Sequence, residues 1–253
     1  MNQVMTSFYP IEYVVSQIAG DETEVKCLIP HGSEPHDYEL TPRQVASIYD
    51  SKALFLCGRS MENFQESLPD SIAQKTYALS SIIEDENSDP HIWLSTANLL
   101  EMASFAKGKL SDIYPKSEPY FSANLASFAA DIAILKEYGS SLSLSGKHVL
   151  ISHDAFSYMA EEFGFIPHYV NGLSPSDEPS PKAIAEILSL IKEYRMDTIF
   201  YAELESDDIA TYLAKKTGLR VETLSPLETI GEGEDFLDIY KEDLLKISQA
   251  KSL

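Results

Sequence analysis

SEPYFSANLASFAADIAILKEYGSSL, residues 117–142, lies near the middle of the chain and decides how the rest is read. Phe121, Leu125, Phe128, Ile132, Leu135 and Leu142 recur at alternating steps of four and three, the period of one helical face, with Gly139 the one break in the stripe. Ser117 is the expected N-cap, and Pro119 falls in the first turn, where its missing N–H costs nothing. Gly139 and the serine-rich tail to Gly146 are expected to fray and end the helix. At 1.5 Å per residue such a helix is about 35–40 Å long, enough to run the height of a small domain. Strands and helices alternate on both sides of it, so it reads as a spine joining two α/β lobes. The competing reading is a long surface helix of one large domain.

Composition agrees with a globular chain of that size. With 253 residues, 44% hydrophobic and 10% aromatic, the chain can bury a full core and divides naturally into two lobes. No apolar run approaches the ~20 residues that span a bilayer. The residues after Met1 read directly as a strand, so no leader is expected here; the chain is cytosolic, or exported with its leader removed. A net charge of −21 argues against nucleic acid and favours cations near the surface. Cys27 and Cys57 end separate predicted strands, show no CxxC spacing, and are expected as buried thiols.

Outward from the spine, Val4–Phe8, Glu24–Ile29, Ala53–Cys57 and Thr76–Leu79 read as strands before it. The helices between them are Ile11–Ala19 (ended by Gly20), Thr41–Ile48 (capped by Thr41, with Pro42 first) and Glu62–Leu68, and Ser95 caps one that runs to Ile113. After the spine come strands His148–Ser152, Ile166–Val170, Thr198–Tyr201 and Arg220–Leu224, with helices Ala155–Phe163, Ser180–Tyr194, Asp207–Thr217 and Asp235–Ser248. A loop rich in Pro and Ser, Asn171–Pro179, precedes Ser180. The predicted fold is therefore α/β: two lobes, each a four-stranded mainly parallel sheet flanked by helices, at residues 1–115 and 146–253, with 116–145 as the linking helix.

Ligands of open α/β sheets bind beyond the carboxyl ends of strands, and the chemistry-bearing residues lie at such ends. His36 follows the second strand, His91 the fourth, His153 the fifth and Glu228 the eighth, two from each lobe. Three neutral imidazoles and a carboxylate suit the tetrahedral shell of Zn²⁺. Asp37, Asp89 and Asp154 stand beside them as carboxylates able to orient the rings. A lone loop histidine is more commonly an exposed or capping residue; the shared position at strand ends is what raises these above that reading. Glu203 also follows a strand and competes with Glu228. His31 shares the loop of His36 but starts it rather than crossing it, and His148 and His168, at the start of and within strands, read as structural. GxSxG, HExxH, phosphate-cradling glycine loops and a Cys beside a His are all absent, which leaves nucleophilic and nucleotide chemistry without support.

The runs Pro30-His31-Gly32, Glu34-Pro35-His36-Asp37-Tyr38-Glu39, Asp89-Pro90-His91-Ile92-Trp93-Leu94, Ser152-His153-Asp154-Ala155-Phe156 and Glu178-Pro179-Ser180 closely resemble the metal-binding solute receptors of bacterial ABC transporters. The resemblance covers essentially the whole chain. It implies two α/β lobes bridged by one rigid helix, with the metal in the cleft between them and His36, His91 and His153 as histidine ligands. Manganese and iron members typically carry a glutamate where this chain has His153, so the zinc type is implied. Ser225-Pro226-Leu227-Glu228 resembles the variant in which a glutamate is the fourth ligand. One departure is the loop Glu84–Asp89, short and without the histidines of many zinc receptors.

Together these readings predict a non-enzymatic, extracytoplasmic zinc receptor, periplasmic or lipid-anchored, that delivers Zn²⁺ in preference to Mn²⁺ to a membrane permease. It is expected to be a monomer that does not bind nucleic acid. The rivals are a manganese receptor or adhesin on the same scaffold, and a zinc hydrolase with three protein ligands and a base such as Glu203.

Overall fold

Gln3–Thr6 forms β1, whose four residues are all buried, as expected of a strand covered on both faces. The computed structural model describes residues 3–84, 88–170, 180–203 and 206–252. Expectations for Asp85, Glu86 and Asn87 of the acidic loop, for Asn171–Pro179 and for Leu204-Glu205 lie outside the described residues. The chain divides into two compact units, Met1–Ile134 with Leu227–Phe236, and Leu135–Pro226 with Leu237–Leu253.

In the first unit β1 is joined by β2 (Glu24–Cys27), β3 (Leu54–Leu56) and β4 (Thr76–Ala78) in the order β2-β1-β3-β4, every pair parallel. The flanking helices are α1 (Tyr9–Ala19), α2 (Pro42–Asp50), α3 (Asp70–Ala73) and α4 (Thr96–Ile113). α1 buries Ile11, Val14, Val15 and Ile18, spaced as one helical face, and packs against α4. Thr41 caps α2 through a reciprocal box with Gln44, and Ser95 caps α4 by accepting the Asn98 N–H at 3.3 Å. The stretch expected as a helix over Glu62–Leu68 is a 3₁₀ turn at Asn63–Ser67. Cys57 is buried as expected, but Cys27 is only half-buried, because β2 is the sheet edge and alternates between exposed and half-buried residues.

The long helix, α5 (Glu118–Ser141), is entered through a 3₁₀ turn at Pro115–Ser117. Ser117 is therefore inside a helical turn, its N–H donating to the Tyr114 carbonyl at 3.0 Å, and is not the expected N-cap; Pro115 starts the turn earlier. Phe121, Phe128, Ile132 and Leu135 are buried as the stripe predicts. Gly20 ends α1 at φ +52, beneath Tyr120 and Asn124 of α5, and Asn124 Nδ2 donates to the Ile18 carbonyl at 2.9 Å. Gly139 does not fray the helix. It lies within it, buried against the Phe163 ring and Leu244, where a Cβ would stand 2.9 Å from Leu244 Cδ1.

The second unit repeats the topology. β5 (His148–Ile151), β6 (Ile166–Tyr169), β7 (Thr198–Ala202) and β8 (Arg220–Leu224) pair in the order β6-β5-β7-β8, all parallel. Its helices are α6 (Ser157–Phe163), α7 (Pro181–Glu193), α8 (Asp208–Thr217) and α9 (Phe236–Gln249), the last beginning at the unit boundary. Leu150, Ile187, Ile191, Ile199 and Leu213 are among the residues that form its core between sheet and helices. Among the described residues no helix is long and apolar enough to cross a membrane. The observed class is the predicted one: two four-stranded parallel sheets flanked by helices, with one long helix.

Candidate metal centre

In each sheet the strand order reverses between the first and third strands in sequence, β1 and β3 or β5 and β7, and ligands of such sheets sit beyond that point. In the first unit Glu62 fills the crevice itself. Its carboxylate accepts from Ser7 Oγ at 2.6 Å, from the Cys57 N–H at 2.7 Å and from the Gly58 N–H at 2.9 Å. Burial raises its pKa despite those three donors. Nothing local in the sequence announces this residue.

Beside that plug the loops bring three predicted residues together. His91 Nε2 lies 3.1 Å and His36 Nε2 3.3 Å from Glu228 Oε1, with the two imidazole centroids 5.5 Å apart. His91 and Glu228 are buried, and the His36 side chain is 13% exposed. Asp89 stands behind His91: its Oδ1 is 2.6 Å from Nδ1 and accepts the His91 backbone N–H at 2.9 Å. That contact fixes the ring and leaves Nε2 facing Glu228. Burial opposes a charge on His91, but the hydrogen bonds and charges of Asp89 and Glu228 outweigh it and hold its pKa up at about 9. Trp93 packs edge-on to the same ring at 5.3 Å.

The loops that carry these groups are tied down. Asn63 Nδ2 donates to the His36 carbonyl at 2.6 Å, and the His36 N–H donates to Glu34 at 3.0 Å. Arg59 donates to the Asp89 and Ile83 carbonyls, each at 3.3 Å, which holds both ends of the acidic loop. The Gly32 N–H donates to Thr229 Oγ1. Leu227, fully buried, adopts φ +59, a conformation rare for a bulky residue, immediately before Glu228. Pro226, with its fixed φ, stiffens the same approach, and the left-handed turn at Leu227 is the sharper constraint.

His153, Asp154, Glu203, His148 and His168 belong to the second unit. His153 follows β5 and is 1% exposed; its carbonyl accepts the Ala155 N–H at 3.0 Å, and Ser152 before it bonds to β7 through both its N–H and its hydroxyl. Glu203 accepts a hydrogen bond from Ser225 Oγ at 2.7 Å, so this rival of Glu228 is engaged at the end of its own sheet. Asp154 accepts from Ser157 Oγ at 3.3 Å. His148 and His168 share a 2.8 Å contact and stack with Tyr194, a structural role as read.

The comparisons with known proteins fit this geometry. The zinc-binding lipoprotein AdcA of Streptococcus pneumoniae is 29% identical over 97% of this chain, which spans 55% of that relative's length. The high-affinity zinc uptake system protein ZnuA of Bacillus subtilis is 29% identical, with 95% of this chain and 85% of that protein covered. Among solved structures, the laminin-binding protein Lmb of Streptococcus agalactiae, described as having adhesin and metal-transporting activity, superposes with a TM-score of 0.91 at 29% identity, covering 98% of this chain and 99% of that one. The Zn(II)-bound ZnuA-like domain of S. pneumoniae AdcA gives 0.84 at 30% identity, covering 98% and 97%. A family model described as the periplasmic component A of the zinc-uptake complex matches residues 4–250, and the chain belongs to that ZnuA family.

Proposed function

We propose that this chain is an extracytoplasmic zinc receptor that captures Zn²⁺ and hands it to the membrane permease of an ABC transporter. The observation that carries this reading is the buried group of His36, His91 and Glu228, with Asp89 set behind His91. Two imidazoles and a carboxylate aimed at one another, with little water around them, form a donor set that suits Zn²⁺ and leaves a tetrahedral shell one ligand short. His153 supplies that ligand. The support is its motif, Ser152-His153-Asp154-Ala155-Phe156, and the zinc-binding relatives named above.

A shell of three histidines and Glu228 is closed, whereas a catalytic zinc keeps a position for water. Capture without turnover is the chemistry that this donor set serves. With the negative charge of Glu228 close to a doubly positive ion, part of the ion's charge is neutralised inside the protein, and the imidazoles set the preference for Zn²⁺ over Mn²⁺. The protein works as a monomer on this reading.

Metal titration of chelated protein is the direct test. One tight equivalent of Zn²⁺ is expected, with a raised melting temperature, because an ion bound only by the native state stabilises it. Competition should favour Zn²⁺ over Mn²⁺, and His153→Glu should move the preference toward Mn²⁺. A wild-type protein that binds Mn²⁺ more tightly than Zn²⁺ would overturn the assignment.

A further inference from the structure

A second set of metal-ligating side chains lies in the first unit. Glu12 on α1, Cys27 at the end of β2 and His31 in the loop that follows each offer one ligand atom, and those atoms lie within 4.8 Å of one another. His31 Nε2 is 2.7 Å from Glu12 Oε2. The Cys27 thiol is turned toward the Ile29 carbonyl at 3.2 Å and the Ser7 carbonyl at 3.6 Å. Tyr9 packs edge-on against the His31 ring at 5.4 Å and limits where it can swing. Three separate elements thus converge on one spot.

An ordinary surface ion pair accounts for part of this, but only part. The His31 and Glu12 side chains are 43% and 23% exposed, and a pair that open to water contributes little to stability. It does not explain a half-buried thiol placed against the same carboxylate. Burial, and next the charge of Glu12, push the Cys27 thiol up to about 12. The negative field that resists a second negative charge there is one that a divalent cation would relieve. Thiolate, imidazole and carboxylate together are a zinc donor set, with Cys27 the only soft member.

We propose that Glu12, Cys27 and His31 form a second divalent-metal site of the zinc class, weaker than the first. Binding replaces the thiol proton with the metal and releases that proton to water, so the ion must compete with a tightly held proton. Three protein ligands leave a fourth position for water, which keeps the ion exchangeable. The site also shares a loop with the first one: His31 and His36 bracket the segment in which Gly32 is tied to Thr229, the neighbour of Glu228. An ion held at His31 therefore sits on the approach to His36 and stiffens it.

Cobalt reports on this site alone, because a thiolate ligand gives a near-ultraviolet charge-transfer band and the first site contains no cysteine. Full-length protein loaded with one equivalent of Zn²⁺ is titrated with Co²⁺ at pH 7.5. A charge-transfer band saturating at one further equivalent is expected. Cys27→Ser should abolish the band, and His31→Gln, at an exposed position that spares the fold, should weaken Co²⁺ binding by more than about tenfold, a loss that even an outer-shell partner can cause. Both variants should keep the first Zn²⁺ equivalent. No band in the wild type, or a band that survives Cys27→Ser, overturns the proposal. Loss of the tight Zn²⁺ equivalent with the band intact would instead count against the first site.

Discussion

Zinc loading should drive a proton from His91, and the size of the effect follows from what surrounds the ring. Burial disfavours its charged form, yet Asp89 and Glu228 hold its pKa at about 9. At pH 7.5 that is about 1.5 units above ambient, so nearly every metal-free molecule carries the proton and apparent Zn²⁺ affinity is weakened about 30-fold, or ~2 kcal/mol. Calorimetric titration in buffers of different ionisation enthalpy reads the proton count as a slope. About one proton per ion should leave His91 at pH 7.5, falling toward about half near pH 9. Asp89→Asn separates the two roles of that carboxylate. Losing its charge lowers the proton affinity of His91 and removes much of the competition. Losing the carboxylate behind a metal-bound imidazole costs about 10–100-fold in affinity. The opposing effects leave affinity at pH 7.5 reduced by no more than about tenfold, while the proton count drops and the pH dependence between 7 and 9 flattens. A wild-type release below about 0.3 proton per ion at pH 7.5 would refute the reasoning. Linkage adds a check on the metal-free protein. Its folded His91 pKa lies above the ordinary value of 6.5, so this group's stabilisation is complete below about pH 6.5 and is lost as pH rises through about 9.

Other outcomes are equally specific. Glu228→Ala should weaken Zn²⁺ binding while leaving residual affinity, since water can replace one oxygen ligand, and Glu203→Ala, whose carboxylate already accepts from Ser225, should change it far less. Competition titration of both variants settles the order, and the reverse order would exchange their roles. Gly139→Ala places a methyl group against Phe163 and Leu244. Overpacking costs about 1–3 kcal/mol and outweighs a helix-propensity gain of about 1, so the melting temperature should fall. An unchanged or raised melting temperature would mean that the helix shifts freely there.

The sequence exposed the features that rest on period and punctuation. Among the described residues the eight strands, the paired sheets and the long helix were legible because buried parallel strands are apolar runs and a helical stripe has its own spacing. The meeting of His36, His91 and Glu228 was legible through their common position at strand ends, and Asp89 through its place beside His91. What escaped notice depends on contacts between distant residues. Glu62 sits in a weakly patterned turn, and its three donors come from Ser7 and the β3 exit, so its role exists only once the sheet is paired. Gly139 looked like a helix breaker because sequence shows a missing side chain and hides the Phe163 ring that requires it. Ser117 was misplaced because Pro115 can open a 3₁₀ turn as readily as end the preceding helix.

The short return of Leu227–Phe236 to the first unit sets an order of events during synthesis. His36 and His91 emerge from the ribosome well before Glu228, which lies 192 residues beyond His36. The same late segment delivers Thr229 to Gly32 and stacks Phe236 on Tyr13 at 4.4 Å. A nascent chain stopped before Leu227 would hold the histidines without Glu228 and would leave the Tyr13 ring without Phe236 stacked on it. Closing so long a loop is slow relative to forming either sheet. Competence for tight metal capture therefore arrives with the Leu227–Phe236 segment, and a product truncated before it should bind zinc more weakly than one that contains it.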